Sequence, residues 1–277
     1  MNPQVSIIVP CYNQAQYLKE SLQSVLEQSF SNWECIIVND GSPDNTEEIA
    51  KKWVEKDGRF KYIKTKNKGV SNARNVGIGT ALGEYILPLD ADDRIAKEYI
   101  SLSISTFMES EELKVVYCKA EKFGNETEIW NLEPFSLKGL CLRNMIFCSA
   151  LFKKQDWLRV GGYDEEMDIG WEDWDFWISI LKDGGKVKQL DYIGFYYRVK
   201  IESRSKSLNK IKEEKIYKYL SFKYVDLYLN ELGSFQLLKS EIEITNNRYS
   251  TNLKSKKFTI NLFFKSIFGI YIFKGFR

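Results

Sequence analysis

An acidic stretch, Asp90-Ala91-Asp92-Asp93, follows an apolar run at residues 84–89 that is typical of a buried strand. Residues i and i+2 of an extended chain point the same way, so Asp90 and Asp92 would present two carboxylates side by side. Two such carboxylates repel each other, and a hard divalent cation removes that penalty. The pair therefore indicates Mg²⁺ or Mn²⁺ holding a nucleotide diphosphate, and the alternative is a polar turn at the strand exit.

A regular alternation of strands and helices would position this motif. Strands are predicted from apolar runs at residues 5–10, 34–39, 60–65 and 84–89. Helices are predicted from apolar spacing at residues 14–30, 49–54 and 70–81. This order predicts a parallel sheet flanked by helices, in which ligands bind beyond the carboxyl ends of the strands. Asp40 and the Asp90-Asp92 pair both follow such ends, which favours a functional interpretation.

The second half of the chain is less regular. Its predicted strands lie at residues 113–118, 145–152, 187–190 and 193–198. A helix is predicted at residues 173–181, because Gly184-Gly185 would stop it. From residue 205 the pattern changes to Lys-rich helices, in which four residues would share one packing face: Tyr217, Leu220, Tyr224 and Tyr228.

Composition excludes several kinds of chemistry. The 277 residues include no histidine, which removes Ser-His-Asp triads, Cys-His nucleophiles and His-ligated zinc. Five cysteines without Cys-x-x-Cys spacing indicate reduced, mostly buried thiols in a cytosolic protein. A net charge of +2 gives no global case for nucleic-acid binding. No signal-peptide pattern precedes the first strand, so we expect a cytoplasmic location.

One glycine-rich segment imitates a dinucleotide-binding loop. Gly77, Gly79 and Gly83 are spaced with one residue too many in the last gap, and they lie late in a helix rather than after a strand. We interpret them as a sign of close helix packing. The sequence contains no Gly-x4-Gly-Lys-Ser/Thr phosphate loop.

Five motifs occur along the chain in a fixed order. They are the segments at residues 5–13, 37–42, 69–75, 90–93 and 171–173. In this order and spacing they resemble glycosyltransferase family 2, the inverting enzymes with a GT-A fold, over about residues 4–200. The resemblance implies an α/β class: a GT-A, Rossmann-like mixed and mostly parallel sheet flanked by helices. Together with the Lys-rich pattern from residue 205, this predicts that fold with a C-terminal helical extension.

The resemblance also implies a domain organisation. Residues 1–204 would form the GT-A catalytic domain. Its nucleotide-binding half would cover about residues 1–94 and its acceptor half about residues 95–204. The resemblance does not cover the C-terminal part, where the Lys-rich helical pattern predicts a basic and aromatic extension at residues 205–277.

On the donor side, the resemblance implies that Pro10, Tyr12 and Asn13 border the nucleotide. Asp40 would accept the imide N–H of a uracil or thymine ring. Arg74 would lie near the nucleotide or its diphosphate, where a forked cation matches phosphate oxygens. The alternatives are a turn-forming aspartate before glycine for Asp40 and a solvated helix charge for Arg74.

Within the Asp-x-Asp motif, the resemblance implies that Asp90 touches ribose, or the metal through water, and that Asp92 binds the metal directly. Ala91 would belong to the nucleotide-sugar-binding residues. The Mn²⁺ or Mg²⁺ cofactor would neutralise the two phosphates as the glycosidic bond breaks. Many family members carry a histidine after the Tyr-Arg pair near the end of the catalytic region. This chain has none, so fixed cations could bind the diphosphate instead: Arg198, Lys200 or Arg204.

On the acceptor side, the resemblance implies that Asp173, beside Glu172, is the catalytic base that takes the proton of the acceptor hydroxyl. The alternative is that both acids only complement the start of a helix. Burial would raise the pKa of Asp173, and the helix N-terminus would lower it.

Aromatic residues surround this pair of acids. Trp171 and Trp174, with Trp177 nearby, would offer platforms for sugar rings. Gly162 lies in an upstream loop that would shape the acceptor side.

We therefore expect a metal-dependent inverting glycosyltransferase of hexosyl or N-acetylhexosaminyl type. It would move a sugar from a UDP- or dTDP-sugar to a glycan or lipid-linked acceptor in cell-surface polysaccharide synthesis. One alternative is a sugar-nucleotide nucleotidyltransferase, but the first strand lacks the Gly-rich, basic loop that it needs. The other is a catalytically inactive nucleotide-sugar-binding scaffold subunit.

The end of the chain is basic and aromatic. Residues 258–276 are dense in Phe and Ile, and no acidic residue follows Glu243. The segment is too interrupted for a transmembrane span. It favours peripheral binding to the inner face of the plasma membrane, with lysines at anionic headgroups. The alternative is packing on its own domain or on a homodimer partner.

Overall fold

The computed structural model describes residues 2–167, 170–201 and 209–273. The chain divides into two compact units, Met1–Lys223 and Tyr224–Arg277. The first unit contains the sheet and the predicted site residues. It extends beyond residue 204, because a helix at Lys210–Lys223 is part of it.

Parallel strands and helices alternate through the first ninety residues or so. The elements are β1 (Val5–Cys11), α1 (Ala15–Leu26), β2 (Trp33–Asn39), α2 (Thr46–Lys56), β3 (Phe60–Lys64), α3 (Val70–Thr80) and β4 (Tyr85–Pro88). β1 pairs in parallel with β2 and β4, and β2 pairs in parallel with β3. Every residue of β1 and β2 is buried, as expected of parallel strands covered on both faces. The predicted alternation is confirmed, although α1 ends at Leu26 rather than at residue 30.

The remainder of the first unit completes a nine-stranded mixed sheet. Its elements are β5 (Arg94–Ile95), α4 (Tyr99–Phe107), β6 (Leu113–Gly124), β7 (Glu128–Trp130), α5 (Leu137–Leu142), β8 (Leu151–Lys153), α6 (Lys154–Val160), α7 (Glu172–Leu181), β9 (Lys186–Val199) and α8 (Lys210–Lys223). The strand order is β3-β2-β1-β4-β8-β6-β9-β5, and β7 pairs with β6. β8 is antiparallel to both β4 and β6, which makes the sheet mixed.

The strands predicted in this part differ in extent from those in the structure. The strand predicted at residues 145–152 forms only at Leu151–Lys153. The N–H groups of Ile146 and Ala150 donate instead to the Asn144 side chain and the Cys148 carbonyl, so the preceding segment turns. The strands predicted at residues 187–190 and 193–198 are one strand, because β9 follows β6 through irregularities in the register.

The second unit contains α9 (Val225–Leu232), α10 (Phe235–Lys254) and α11 (Lys256–Phe268), which agrees with the predicted helical extension. Buried Asn261 fixes the end of α11, since its side chain accepts the N–H groups of Ile272 and Phe273. No helix in residues 2–167, 170–201 and 209–273 is long and apolar enough to cross a membrane.

Candidate active site

The sheet register brings the predicted donor-side residues to one edge. Cys11 aligns with Asn39, and Ile8 aligns with Pro88. Tyr12, Asp40 and the acidic motif therefore follow the ends of three neighbouring parallel strands. This is the edge at which α/β sheets bind ligands.

Arg74 is a buried cation that joins two distant acidic residues. Its side chain is 1% exposed, and its Nη2 donates to Asp90 Oδ1 at 2.8 Å. Its Nη1 donates to Glu172 Oε1 at 2.7 Å. Burial opposes the charge, but the Asp90 and Glu172 carboxylates outweigh it and raise the pKa of Arg74 well above its usual value. Arg74 thus links the motif after β4 to the start of α7, and its contact with phosphate stays a prediction.

The other two acids of the motif are tied to β9. The Asp92 carboxylate pairs with the ammonium of Lys200, and the Asp92 carbonyl accepts Arg198 Nε at 2.8 Å. Burial and then the Asp90 carboxylate raise the pKa of Asp92, whereas Lys200 lowers it. Asp93 is buried and accepts the backbone N–H of Arg198 at 2.7 Å. The motif is therefore anchored by the strand end that carries the predicted diphosphate cations.

Asp173 lies in the first turn of α7 with both carboxylate oxygens hydrogen-bonded. Asn144 Nδ2 donates to its Oδ2 at 2.9 Å, and the N–H of Trp174 donates to its Oδ1 at 2.9 Å. Burial and then the Glu172 carboxylate raise the pKa of Asp173 to about 7, although Arg74 and these two donors lower it. The effect of burial on the pKa of Asp173 therefore outweighs the opposite effect expected from the start of the helix. A carboxyl that titrates near neutral pH suits proton transfer.

The two predicted aromatic platforms differ in exposure. Trp174 is 1% exposed and its indole N–H donates to the carbonyl of Leu140 at 2.6 Å, so it packs in the core without an open ring face. Trp177 is also buried. Trp171 is half-buried and adopts φ 59°, a left-handed conformation that is rare for a large residue. Its ring lies 5.7 Å from that of Tyr217, a residue predicted only to belong to a packing face.

Gly162 lies in a loop that is fixed to α3. It adopts φ 87°, and a Cβ added there would lie 2.7 Å from Asn75 Oδ1. The Asn75 amide holds the next residue, since it accepts the N–H of Tyr163 and donates to its carbonyl, both at 2.8 Å. The glycine therefore lets this loop approach the helix that carries Arg74.

Asp40 has three hydrogen-bond donors in the protein. Its carboxylate accepts Thr65 Oγ1 at 2.9 Å and the backbone N–H groups of Lys68 and Gly69 at 3.0 and 2.9 Å. These bonds hold the segment between β3 and α3. A carboxylate has about four acceptor sites, so an imide contact would be additional to them and stays a prediction.

The remaining donor-side residues lie at the same edge. Tyr12 is 47% exposed, whereas Pro10 and Ala91 are buried and can offer only backbone atoms. Asn13 has φ 54°, and its N–H donates to Ser42 Oγ at 3.1 Å. This bond ties the loop after β1 to the loop after β2.

Arg198 is held by aromatic rings and one acid. Its guanidinium carbon lies 4.6 and 4.3 Å from the ring centres of Tyr17 and Phe123, and its Nη2 pairs with Glu20. A contact with diphosphate stays a prediction. Arg204, the third cation considered, lies outside the described residues.

The acidic motif offers donors of the type that Mg²⁺ and Mn²⁺ prefer. Within residues 2–167, 170–201 and 209–273, no group of three or more Cys, Asp or Glu side chains is placed to hold a metal ion. Asp90 and Asp92 nevertheless supply carboxylate oxygens, and these cations take their other oxygens from water and phosphate. The Asp90 carboxylate raises the pKa of Asp92, which is a repulsion that a cation would relieve. The residues fit a site of two carboxylates, each of which already pairs with a cation of the protein: Arg74 on Asp90 and Lys200 on Asp92.

Asn144 was not predicted from the sequence, whereas Asn75 and Tyr163 lie in a predicted motif and in the predicted acceptor-side loop without a predicted contact of their own. The ring of Tyr163 lies 5.3 Å from the guanidinium carbon of Arg74. Asn144 belongs to no motif and follows a short helix, so no local pattern indicated its contact with Asp173. All five cysteines are free and four are buried, as predicted.

The fold is that of the GT-A glycosyltransferases, and comparison with known families agrees. The profile of glycosyl transferase family 2 matches residues 6–163. The chain belongs to that family.

Several relatives have similar sequences. The uncharacterized glycosyltransferase EpsJ of Bacillus subtilis is 29% identical over 218 residues, which are 72% of this chain and 62% of EpsJ. Hyaluronan synthase of Pasteurella multocida is 29% identical over 235 residues, which are 83% of this chain and 24% of that protein. Glycosyltransferase GlyA of Streptococcus pneumoniae is 40% identical over 100 residues, which are 36% of this chain and 14% of GlyA. The chain thus spans less than two thirds of the length of each.

Solved structures show the same fold. Residues 1–349 of S. aureus TarS, in complex with UDP-GlcNAc, align with a TM-score of 0.63 and 20% identity, over 83% of this chain and 73% of that one. The mannosyltransferase PcManGT of Pyrobaculum calidifontis, in complex with GDP-Man and Mn²⁺, aligns with a TM-score of 0.62 and 19% identity, over 84% and 70%. The predicted GT-A fold is confirmed.

Proposed function

We propose that this chain is an inverting glycosyltransferase that uses a UDP- or dTDP-sugar and a glycan or lipid-linked acceptor in cell-surface polysaccharide synthesis. The transferred group is a hexosyl or N-acetylhexosaminyl residue. One observation carries the proposal: Asp173, whose pKa is about 7, neighbours Glu172, which Arg74 connects to Asp90. Asp173, which can accept a proton, is thereby held in a fixed position relative to the acidic motif at the carboxyl ends of the strands.

On the donor side, Asp40 accepts the imide N–H of the base, and the exposed ring of Tyr12 borders the nucleotide. The complex of TarS with UDP-GlcNAc supports a uracil base. The complex of PcManGT with GDP-Man makes guanine the alternative that a donor screen has to include.

On the acceptor side, Asp173 removes the proton of the attacking hydroxyl. The hydroxyl oxygen then bonds to the anomeric carbon as the bond from that carbon to the diphosphate oxygen breaks, so the configuration inverts. Asn144 and the N–H of Trp174 orient the Asp173 carboxylate. A bound Mg²⁺ or Mn²⁺, held by Asp90 and Asp92, would supply positive charge to the leaving diphosphate.

The test is sugar transfer by Asp173→Asn, measured alongside donor binding by thermal shift. We expect transfer to fall about 10²–10⁴-fold, since the amide cannot accept the proton, while donor binding is retained. Asp183→Asn is the control, because Asp183 is an exposed acid just after α7.

Normal transfer by Asp173→Asn would show that the base is another group. If wild type binds a uracil or thymine nucleotide sugar but transfers to no acceptor, the inactive scaffold becomes the better reading. A shift with guanine nucleotides alone would contradict the assignment of Asp40.

The second unit provides the surface that binds the membrane. Its last 34 residues contain seven basic residues and no acidic ones. Binding through this surface would place the protein in the cytoplasm, at the inner face of the plasma membrane, where a lipid-linked acceptor would be available. A homodimer is the alternative use of the same surface.

A further inference from the structure

The end of β9 directs two cations towards the acidic motif. Arg198 is the penultimate residue of β9, and Lys200 directly follows its last residue. Arg198 pairs with Glu20, whose carboxylate is shared with Arg94. Lys200 instead pairs with the Asp92 carboxylate, the group assigned to the metal.

The ammonium of Lys200 is held in place by more than this ion pair. It donates to the Gln14 side-chain oxygen at 3.1 Å and lies 5.5 Å from the ring centre of Tyr17. The side chains of Lys200 and Asp92 are each 18% exposed, so water and salt screen the pair less than a surface pair. Gln14 directly precedes α1, and Tyr17 lies in the first turn of that helix. Lys200 therefore lies between the loop after β1 and the acidic motif.

We infer that Lys200 competes with the divalent cation for Asp92. The inference rests on the proposed function, which makes Asp92 a metal ligand. Mg²⁺ or Mn²⁺ must come within about 2.0–2.2 Å of a carboxylate oxygen, and the ammonium contacts Asp92 Oδ2. Two cations on one carboxylate repel each other, so the Lys200 ion pair and a bound metal ion weaken one another. The protein without nucleotide therefore binds metal weakly.

Donor binding would relieve this competition. A diphosphate brings negative oxygens that an ammonium and a divalent cation can share. Lys200 would then leave Asp92 for the phosphates. Metal and nucleotide binding would be coupled, and each would strengthen the other by the same factor.

The test is the affinity of the full chain for Mn²⁺ alone, measured from the electron paramagnetic resonance signal of free Mn²⁺. We expect Lys200→Gln to bind Mn²⁺ at least about tenfold more tightly than wild type, because the competing charge is removed. Adding Asp92→Asn to that variant should abolish the gain. Lys200→Arg keeps the charge and should stay near wild type, which separates competition from a folding defect.

Lys114→Gln is the matched control. Lys114 also pairs with a buried acid, Asp156, at 2.9 Å, but neither residue belongs to the acidic motif. It should leave Mn²⁺ affinity unchanged. Equal or weaker affinity in Lys200→Gln, or no Mn²⁺ binding by either protein, would overturn the inference. UDP binding without metal and the Asp173 dependence of transfer test the proposed function separately, so the two failures are distinguishable.

Discussion

The ionisation of Asp173 depends on neighbours that act in opposite directions. Glu172 raises its pKa by charge repulsion, after burial, and Asn144 lowers it by donating a hydrogen bond to the carboxylate. The base is active when deprotonated, so the rate should fall as the pH falls through about 7. The pH profile of kcat/KM reports this pKa in the free enzyme.

The acidic limb of the pH profile is the range in which kcat/KM falls as the pH is lowered through the pKa of Asp173. Two substitutions should move this limb in opposite directions. Glu172→Gln removes a negative charge and leaves more of the Arg74 charge to act on Asp173, so the limb should shift to lower pH. Asn144→Ala removes a donor to the carboxylate, so the limb should shift to higher pH. Both shifts are read from kcat/KM measured across the pH range around 7.

A limb that moves the same way in both variants would contradict this account of Asp173. A purely structural role for Asn144 would lower the rate at every pH and leave the limb in place. The pH profile therefore distinguishes a positioning residue from one that only supports the fold.

At the scale of elements, α3 positions Arg74 by packing closely on the parallel strands. A Cβ added to Gly77 would lie 2.6 Å from Ile8 Cγ2 on β1 and 3.0 Å from Val38 Cγ2 on β2. This confirms the prediction of close helix packing for Gly77, whereas Gly79 has open space around it and Gly83 follows the end of α3 at Thr80. Helix and sheet approach each other closely at Gly77, where no side chain intervenes.

Gly77→Ala should therefore destabilise the protein by about 1–3 kcal/mol, since the added methyl group overpacks the contact with β1. Gly79→Ala is the matched control in the same helix, because nothing lies within 4 Å of its added Cβ. That variant should be neutral or stabilising by up to ~1 kcal/mol. Denaturant unfolding measures both free energies, and equal losses would show that α3 does not depend on this close approach.

At the scale of the whole molecule, net positive charge and exposed apolar side chains are concentrated in the second unit. Phe263 and Ile267 are 55% and 57% exposed and lie one turn apart on α11. Lysines at 256, 257 and 265 flank them. Apolar side chains beside cations suit the interface of an anionic membrane.

The full chain should sediment with vesicles that contain phosphatidylglycerol, and less so with neutral vesicles or at high salt. The double variant Phe263→Ser, Ile267→Ser should weaken this binding, because it removes apolar area from the membrane interface. Ile242→Ser, Ile244→Ser is the control, since those residues are equally exposed but flank Glu243. No sedimentation, together with a dimer in light scattering that Phe263→Ser, Ile267→Ser dissociates, would favour the homodimer alternative.

The sequence by itself determined the alternation of strands and helices and the edge at which the site lies. Apolar periodicity and turn residues act over a few residues, so β1 to β4, the acidic motif and Asp40 were all predictable. The close packing of α3 was predicted from its glycines, although only Gly77 of the two within the helix makes a close contact.

Only the tertiary structure decided how the charges are paired. Arg74 reaches Asp90 and Glu172, which are 16 and 98 residues away, and Asn144 reaches Asp173 across 29 residues. Trp174 is buried rather than open, because α7 packs that side of the helix against the carbonyl of Leu140. Local periodicity carries no information on such contacts, since they arise when elements distant in sequence pack together and exclude water.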